Sequence, residues 1–97
     1  MIAHVAQANS LARFVKKLPR NAKDNLSIQA LPNSGVAIQA LSLGKVPGSS
    51  AIYEKQVDAW GQTIQFTKTT YDQNGDMIMV KDKLTGEVYE CPRTGPA

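Results

Sequence analysis

Three similar turns constrain the fold of this chain more than any other feature of its sequence. In each of them glycine is the fourth residue: Asp58-Ala-Trp-Gly61, Asp72-Gln-Asn-Gly75 and Lys83-Leu-Thr-Gly86. This pattern suits a three-residue hairpin loop that ends in left-handed backbone, which glycine adopts without steric cost. The turns therefore predict an antiparallel meander across residues 51–91. Its predicted strands are 51–58, 62–71, 77–83 and 87–91.

The length of the middle loop decides which side chains share a face of this sheet. Asn74-Gly75 alone is typical of a two-residue turn, whereas the fourth-position glycine favours a three-residue loop with Asp72 opposite Asp76. A change of one residue in register moves side chains to the other face. We prefer the three-residue loop because it gathers four strong hydrophobes on one buried face. They are Ile64, Phe66, Ile78 and Val80.

The same register predicts a polar, open face on the other side of the sheet. It also places Glu54 beside Phe66 among the hydrophobes, so we expect strand 51–58 to be an edge strand, bulged or paired otherwise. Lysine neutralises phosphate and aromatic rings stack on unpaired bases, so the open face suits RNA. An ordinary polar sheet surface is the alternative. The predicted open face carries Tyr53, Lys55, Thr67, Thr69, Tyr71, Met77, Met79, Lys81, Lys83 and Tyr89.

An amphipathic helix is predicted near the N-terminus. Its apolar residues have the spacing i, i+3, i+4 and i+7, and the helix starts either at a Ser10 cap or nearer Val5. Pro19 is expected near its end, because proline disfavours helical geometry in the preceding residue. Residues 20–25 read as a loop or one further helical turn, which gives a helical segment over 1–25. The apolar stripe is Leu11, Phe14, Val15 and Leu18.

Between the helix and the meander, the letters IQAL occur twice, at 28–31 and 38–41. They flank a Pro-Asn-Ser-Gly turn and predict a hairpin over 26–42, with a helix over 36–42 as the alternative. The 97 residues therefore read as one α+β domain. We expect an N-terminal amphipathic helix, or two helices, packed on an antiparallel β-meander of four or more strands.

The net charge of +3 is unevenly distributed. Residues 1–48 hold six basic side chains and one acidic, a net charge of +5, whereas residues 49–97 hold five basic and seven acidic, a net charge of −2. A basic patch of this kind indicates either a nucleic-acid footprint or a solvated helix face. The predicted RNA-binding residues are Arg13, Lys16, Lys17, Arg20 and Lys83.

Some classes of site and location are excluded by what the sequence lacks. A single cysteine, Cys91, cannot form an internal disulfide, and one histidine is too few for a histidine metal cluster. We therefore expect no metal and no cofactor. No apolar run is long enough to span a membrane, and the N-terminus does not have the order of a secretory signal. We expect a cytoplasmic location.

The segment from Lys45 to Lys83 carries four motifs, together with Gly61 and Gly75. The four motifs are Val46-Pro-Gly-Ser49, Ala51-x-Tyr53-x-Lys55, Lys68-Thr-Thr-Tyr-Asp72 and Val80-Lys-Asp-Lys83. On these motifs the segment resembles the C-terminal toxin modules of bacterial contact-dependent inhibition and haemagglutinin-like exoproteins. The resemblance implies a small, metal-independent tRNA nuclease of the barnase, colicin and RelE type. It also implies a cognate, usually acidic, immunity protein and, for some members, action with the elongation factor that carries tRNA.

Residue by residue, the resemblance carries over to Tyr53, Lys55, Lys68, Thr70, Tyr71 and Lys81 as catalytic candidates. In the family, histidine often occupies the position of Met79. A histidine there would transfer protons near neutral pH, which methionine cannot do. Either the base lies elsewhere or this chain lacks activity.

We therefore expect an RNA endonuclease toxin directed at tRNA, acting in the cytoplasm of a target bacterium if it is delivered as a toxin. The alternative is a non-catalytic RNA- or protein-binding module on the same fold.

Overall fold

The computed structural model describes the backbone of residues 2–90 and the side chains of residues 5–90 except Asp24. One α-helix, α1, spans Ile2–Lys16, and a 3₁₀ helix follows over Arg20–Asp24. Neither of these described helices is long and apolar enough to cross a membrane. Six strands follow: β1 (Leu26–Ala30), β2 (Val36–Leu43), β3 (Ser50–Val57), β4 (Thr63–Tyr71), β5 (Met77–Asp82) and β6 (Val88–Glu90).

The six strands form one antiparallel sheet in chain order, so each strand pairs with the next along the chain. The predicted α+β class, with a helix on a sheet of at least four strands, is confirmed. The expectation of a second α-helix is wrong, because residues 20–24 form only a 3₁₀ helix. Pro19 separates this 3₁₀ helix from α1, because a proline disfavours α geometry in the residue before it.

The helix begins at Ile2, earlier than a Ser10 cap requires. Ser10 lies inside α1 and is fully buried, so its prediction as a cap is wrong. Gln7 ties this first part of the helix to the sheet, because its Nε2 donates to the carbonyls of Ser34 and Asp58 at 2.9 Å each. The early turns of the helix are thus held by side-chain hydrogen bonds in addition to apolar packing.

The core lies between the helical segment and β2 and β3. Phe14 and Leu18 are buried as the helical spacing predicts, and the Phe14 ring lies 5.5 Å from the Phe66 ring at an angle of 60°. This tilted arrangement is the one that aromatic pairs favour. Residues 36–42 belong to a strand, and β2 faces the helix with Ile38 and Ala40. The buried cluster is Phe14, Leu18, Ala22, Ile38 and Ala40.

The loops of the first two meander turns have the predicted length. The Asp72 amide donates to the Asp76 carbonyl at 2.9 Å, and the Gly75 amide donates to the Asp72 carbonyl at 3.0 Å. The Asp58–Gly61 turn repeats this pattern. The third loop is one residue longer, because Asp82 pairs with Glu87. Lys81 therefore lies opposite Val88 instead of Tyr89.

The predicted register is wrong beyond the first two turns. The pairing shifts by one residue between Gln56 and Val57, and again between Thr70 and Tyr71. A bulge inserts one extra residue in one strand, and such a shift exchanges the faces of every residue beyond it. The observed pairs are Tyr53 with Lys68, Lys55 with Phe66, Lys68 with Lys81, and Thr70 with Met79.

The shifts change which residues are buried. Ile64, predicted in the core, is 55 % exposed, and Val80 pairs with Thr69 on the face away from α1. Glu54 also lies on that face. There it accepts hydrogen bonds from Gln39, Gln56 and Gln65, which removes the conflict created by the predicted register. Tyr53 and Lys55 lie on the face that α1 covers, which we call the helix face. Its further members are Phe66, Lys68, Thr70, Met79 and Lys81.

Two turn glycines differ in the space around them and give a matched test of the helix–turn contact. Gly61 and Gly75 both have positive φ angles, 83° and 84°. A Cβ on Gly61 would lie 2.6 Å from the backbone of Ala6, whereas nothing lies within 4 Å of a Cβ on Gly75. Gly75→Ala should therefore cost about 1–2 kcal/mol of unfolding free energy, the cost of left-handed backbone alone. Gly61→Ala should cost clearly more in urea denaturation, and equal losses would contradict a close approach of α1 to this turn.

Candidate functional site

A row of three side chains crosses β3, β4 and β5 on the helix face. Tyr53 lies opposite Lys68, and Lys68 lies opposite Lys81. Neighbouring strands are about 4.8 Å apart, so the two lysines start from adjacent positions. The Lys68 ammonium lies over the Tyr53 ring, 5.5 Å from its centre. Like charges directly opposite each other destabilise a sheet, so this row favours an anion that both lysines can contact.

The next row on the same face holds the position at which the family resemblance expects histidine. Met79 lies opposite Thr70 on β4 and opposite Glu90 on β6. The Thr70 hydroxyl is buried and has no hydrogen-bond partner among the described residues. Glu90 is therefore a carboxylate beside Met79, one row away from Lys81. A carboxylate in that position can accept a proton.

A cavity of about 310 Å³ opens next to the row, where the end of α1 meets the sheet. Apolar and aromatic side chains form most of its lining, and two lysine side chains contribute charge. The backbone fixes Lys83 there, because its amide donates to the Phe66 carbonyl at 2.8 Å. Tyr53 belongs to both the cavity and the row, so the two form one continuous site. The lining residues are Phe14, Lys17, Leu18, Tyr53, Phe66 and Lys83.

Lys55 differs from the other lysines of the helix face because it is buried, with only 7 % of its surface exposed. Its Nζ donates to the Ser10 carbonyl at 3.2 Å and lies 5.9 Å from the centre of the Phe66 ring. Burial lowers the pKa of Lys55 from 10.5, and the nearby charges of Arg13 and Lys17 lower it further. Lys55 therefore links α1 to the sheet, and its buried ammonium group lies next to the Phe66 ring that lines the cavity.

The structure brings together six of the seven residues predicted as catalytic. Tyr53, Lys55, Lys68, Thr70, Met79 and Lys81 share the helix face. Tyr71 does not: it pairs with Ser50 beyond the bulge and lies on the other face. It lines a separate cavity of about 430 Å³, formed with the loop after β2 and the Asp72–Gly75 turn.

The residues predicted to bind RNA divide into two groups. Lys17 and Lys83 line the cavity of the site. Arg13, Lys16 and Arg20 are exposed on the helical segment, and Arg13 lies close enough to influence Lys55. Sequence reasoning assigned Phe14 and Leu18 to the core alone and did not identify Glu90. The spacing of Phe14, Lys17 and Leu18 around the end of α1 was the available signal for the cavity, whereas the position of Glu90 depends on the length of the last loop.

The described residues contain no group of three or more histidine, cysteine, aspartate or glutamate side chains placed to hold a metal ion. Cys91 and the side chain of His4 lie outside the described residues.

Replacing Lys55 should change stability in a pH-dependent way. Because its folded-state pKa is lowered, the folded protein bears the cost of a buried charge at neutral pH and releases the proton before the unfolded chain does. Wild-type stability should rise relative to Lys55→Met as pH increases from the folded pKa towards 10.5. Urea denaturation between about pH 7 and pH 10 measures this difference. Lys16→Met, at an exposed site on α1, controls for the loss of one positive charge, and a pH-independent difference for Lys55→Met would contradict the prediction.

Comparison of the chain with known protein families, with curated proteins and with solved structures yields no match. Any assignment of function therefore depends on the geometry of the helix face and on the motifs between Lys45 and Lys83.

Proposed function

We propose that this chain is a metal-independent RNA endonuclease module that binds RNA on the helix face of its sheet. The observation that supports the proposal is the row of Tyr53, Lys68 and Lys81 beside a cavity that carries Lys17 and Lys83. Phosphate-rich ligands need several cations in a line, and unpaired bases need aromatic surface. Both features occur here within one continuous site.

In this proposal the scissile phosphate lies between Lys68 and Lys81. These two lysines face each other across β4 and β5. A phosphate between them would replace their mutual repulsion with two charge-assisted contacts. The partly exposed aromatic rings of the cavity, Tyr53 and Phe66, would receive a neighbouring base. RNA that is unpaired at this point fits better than a duplex, whose bases are stacked inside.

Cleavage would follow the metal-free route through the ribose 2′-hydroxyl. A base removes the 2′-hydroxyl proton, the 2′-oxygen attacks phosphorus, and the bond from phosphorus to the 5′-oxygen breaks as that oxygen gains a proton. The products are a 2′,3′-cyclic phosphate and a 5′-hydroxyl. Lys68 and Lys81 would stabilise the charge that develops on the phosphate. Glu90, opposite Met79, is the carboxylate that this proposal assigns as base.

A second candidate function is non-catalytic RNA binding, and Met79 is the observation that favours it. Met79 lies within the candidate site, opposite Thr70, where the family resemblance expects histidine. Methionine cannot transfer a proton, so without another base the face would bind RNA and leave it intact. Both candidates require the same lysines and differ only in turnover.

The substrate and partners implied by the resemblance belong to this proposal as well. A tRNA substrate supplies unpaired loops and ends for the cavity. An acidic immunity protein would compete with RNA for the lysine row, since both are anionic. The elongation factor that carries tRNA would present the substrate, and the site of action would be the cytoplasm of a target bacterium.

RNA binding should depend on salt and on the lysines of the row and the cavity. Replacing Lys68, Lys81 or Lys83 by alanine should weaken binding of single-stranded RNA, and each loss of a phosphate contact should reduce the salt slope by about 0.7. Fluorescence anisotropy across a salt series measures both quantities. Lys45→Ala, in the loop between β2 and β3, is the matched control for charge. Binding that does not change with salt would contradict phosphate contacts.

Cleavage should proceed in the presence of a chelator, and its rate should change when the residues at positions 79 and 90 are replaced. Met79→His should raise the cleavage rate about 100-fold, the scale of general acid–base catalysis. Glu90→Gln and Lys81→Ala should lower it. Cleavage of labelled tRNA, with end-group analysis of the products, measures the rate and the scissile bond. Lys45→Ala is again the control.

Two outcomes separate the candidates. If Met79→His with the elongation factor added still cuts no RNA, the nuclease proposal fails for this chain. If the protein nevertheless binds RNA with a salt slope that the lysine variants reduce, the non-catalytic proposal stands.

A further inference from the structure

Among the described residues, nothing pairs with the outer edge of β1, and the strand lacks the usual protection of a sheet edge. In the described part of the chain, β1 pairs only with β2 and forms one end of the sheet. All five of its residues are exposed, and Ile28 is 65 % exposed. Natural edge strands are generally blunted by charges, prolines or bulges. The sequence Leu26-Ser-Ile-Gln-Ala30 has no charge and no proline, and its pairing with β2 is regular.

The hydrogen bonds of β1 show which backbone groups point outward. Leu31 donates to the Gly35 carbonyl at one end of the hairpin, and the Asn25 carbonyl accepts from Leu41 at the other. In an antiparallel pair the residues alternate between bonding to the partner strand and pointing away from it. Odd-numbered residues therefore bond to β2. The amides and carbonyls of the even-numbered residues, Leu26, Ile28 and Ala30, face the open edge.

We propose that this edge pairs with the same edge of a second copy of the chain, antiparallel and centred on Ile28. Ile28 would face its own copy, and Leu26 would face Ala30 of the second copy. Each copy would contribute three outward amides and three outward carbonyls, so every group would find a partner. Because the three residues also share a side-chain face with Ile38, the apolar side chains of both copies would meet on one surface.

A second copy fits this edge because the strand is complementary to itself. Its apolar residues occupy positions 26, 28 and 30 and its polar residues positions 27 and 29, a pattern symmetric about Ile28. A two-fold axis through Ile28 therefore matches apolar with apolar and polar with polar, as an isologous interface requires. The strand is neutral, so the two copies do not repel each other there although each chain carries a charge of +3. The axis is perpendicular to the sheet, so both helices remain on the same side.

The first test measures the mass of the protein in solution and the exchange rates of its backbone amides over a series of protein concentrations. A reductant is present so that Cys91 cannot link two chains. Sedimentation should show the mass rising from 10.5 kDa towards twice that value over roughly three decades of concentration. The amides of Leu26, Ile28 and Ala30 should gain protection from exchange as the dimer forms. The amides of Ser27 and Gln29 should be protected at every concentration, since they bond within the chain.

Charge variants test the register. Ile28→Lys places two lysines opposite each other across the axis and should abolish the dimer, whereas Gln29→Lys adds the same charge opposite Ser27 and should not. The double variant Leu26→Lys with Ala30→Lys should also prevent association, and Leu26→Lys with Ala30→Glu should restore it, because residue 26 faces residue 30. Far-ultraviolet circular dichroism of each variant confirms folding.

Three results would overturn the proposal. The first is a monomer at every concentration, with fast exchange at all three outward amides. The second is a dimer that Ile28→Lys leaves intact. The third is protection of the outward amides only when an unrelated extended peptide is added, which would assign the edge to a foreign strand. None of these measurements depends on RNA, so the test of the interface is independent of the test of the proposed nuclease function.

Discussion

The arrangement of the helix face depends on two register shifts, each of a single residue, that follow the first two meander turns. At the second turn Asp72 faces Asp76, and a regular strand pair continued from there would place Lys68 opposite Val80. Beyond the shift between Thr70 and Tyr71, Lys68 instead lies opposite Lys81, and beyond the shift between Gln56 and Val57, Tyr53 lies opposite Lys68. A strand has a period of two, so one extra residue moves a whole set of side chains to the other face. The bulges therefore gather the lysines on one surface and move Glu54 to the opposite surface.

The lysines gathered on the helix face lower the stability of the folded protein. A destabilising arrangement of this kind suggests that the lysines serve a function other than folding. Lys68 and Lys81 face each other directly, and Lys55 is buried with a lowered pKa because burial and two further cations disfavour its charge. A sheet selected only for solubility would place lysines opposite carboxylates. Here Glu54 is bound by three glutamines on the other face, away from the lysines. An anionic ligand would offset the repulsion, and the proposed RNA site rests on this imbalance.

The sequence was sufficient for the elements that depend on local patterns. Phe14 and Leu18 are spaced for a helix face, and Gly61 and Gly75 mark their turns, so the helix, the first two loops and the order of the strands could be predicted. The bulges could not, because they depend on the register that brings Lys55 and Phe66 against a helix far away in sequence. Glu90 could not be predicted for a related reason. The loop between β5 and β6 is one residue longer than expected, and this extra residue places Glu90 opposite Met79. Local chemistry thus predicts elements, while long-range packing decides the faces.

The helical segment covers only part of the helix face. The 15 residues of α1 extend about 22 Å at 1.5 Å per residue, whereas the molecule extends 54 Å along its longest axis. The core is therefore confined to the part of the sheet that faces the helical segment. The buried cluster takes its strand residues, Ile38 and Ala40, from β2, whereas all five residues of β1 are exposed. Lys68 and Lys81 lie outside this buried cluster and remain half-buried, so their ammonium groups are the charges of the helix face that an anion from solution would meet first.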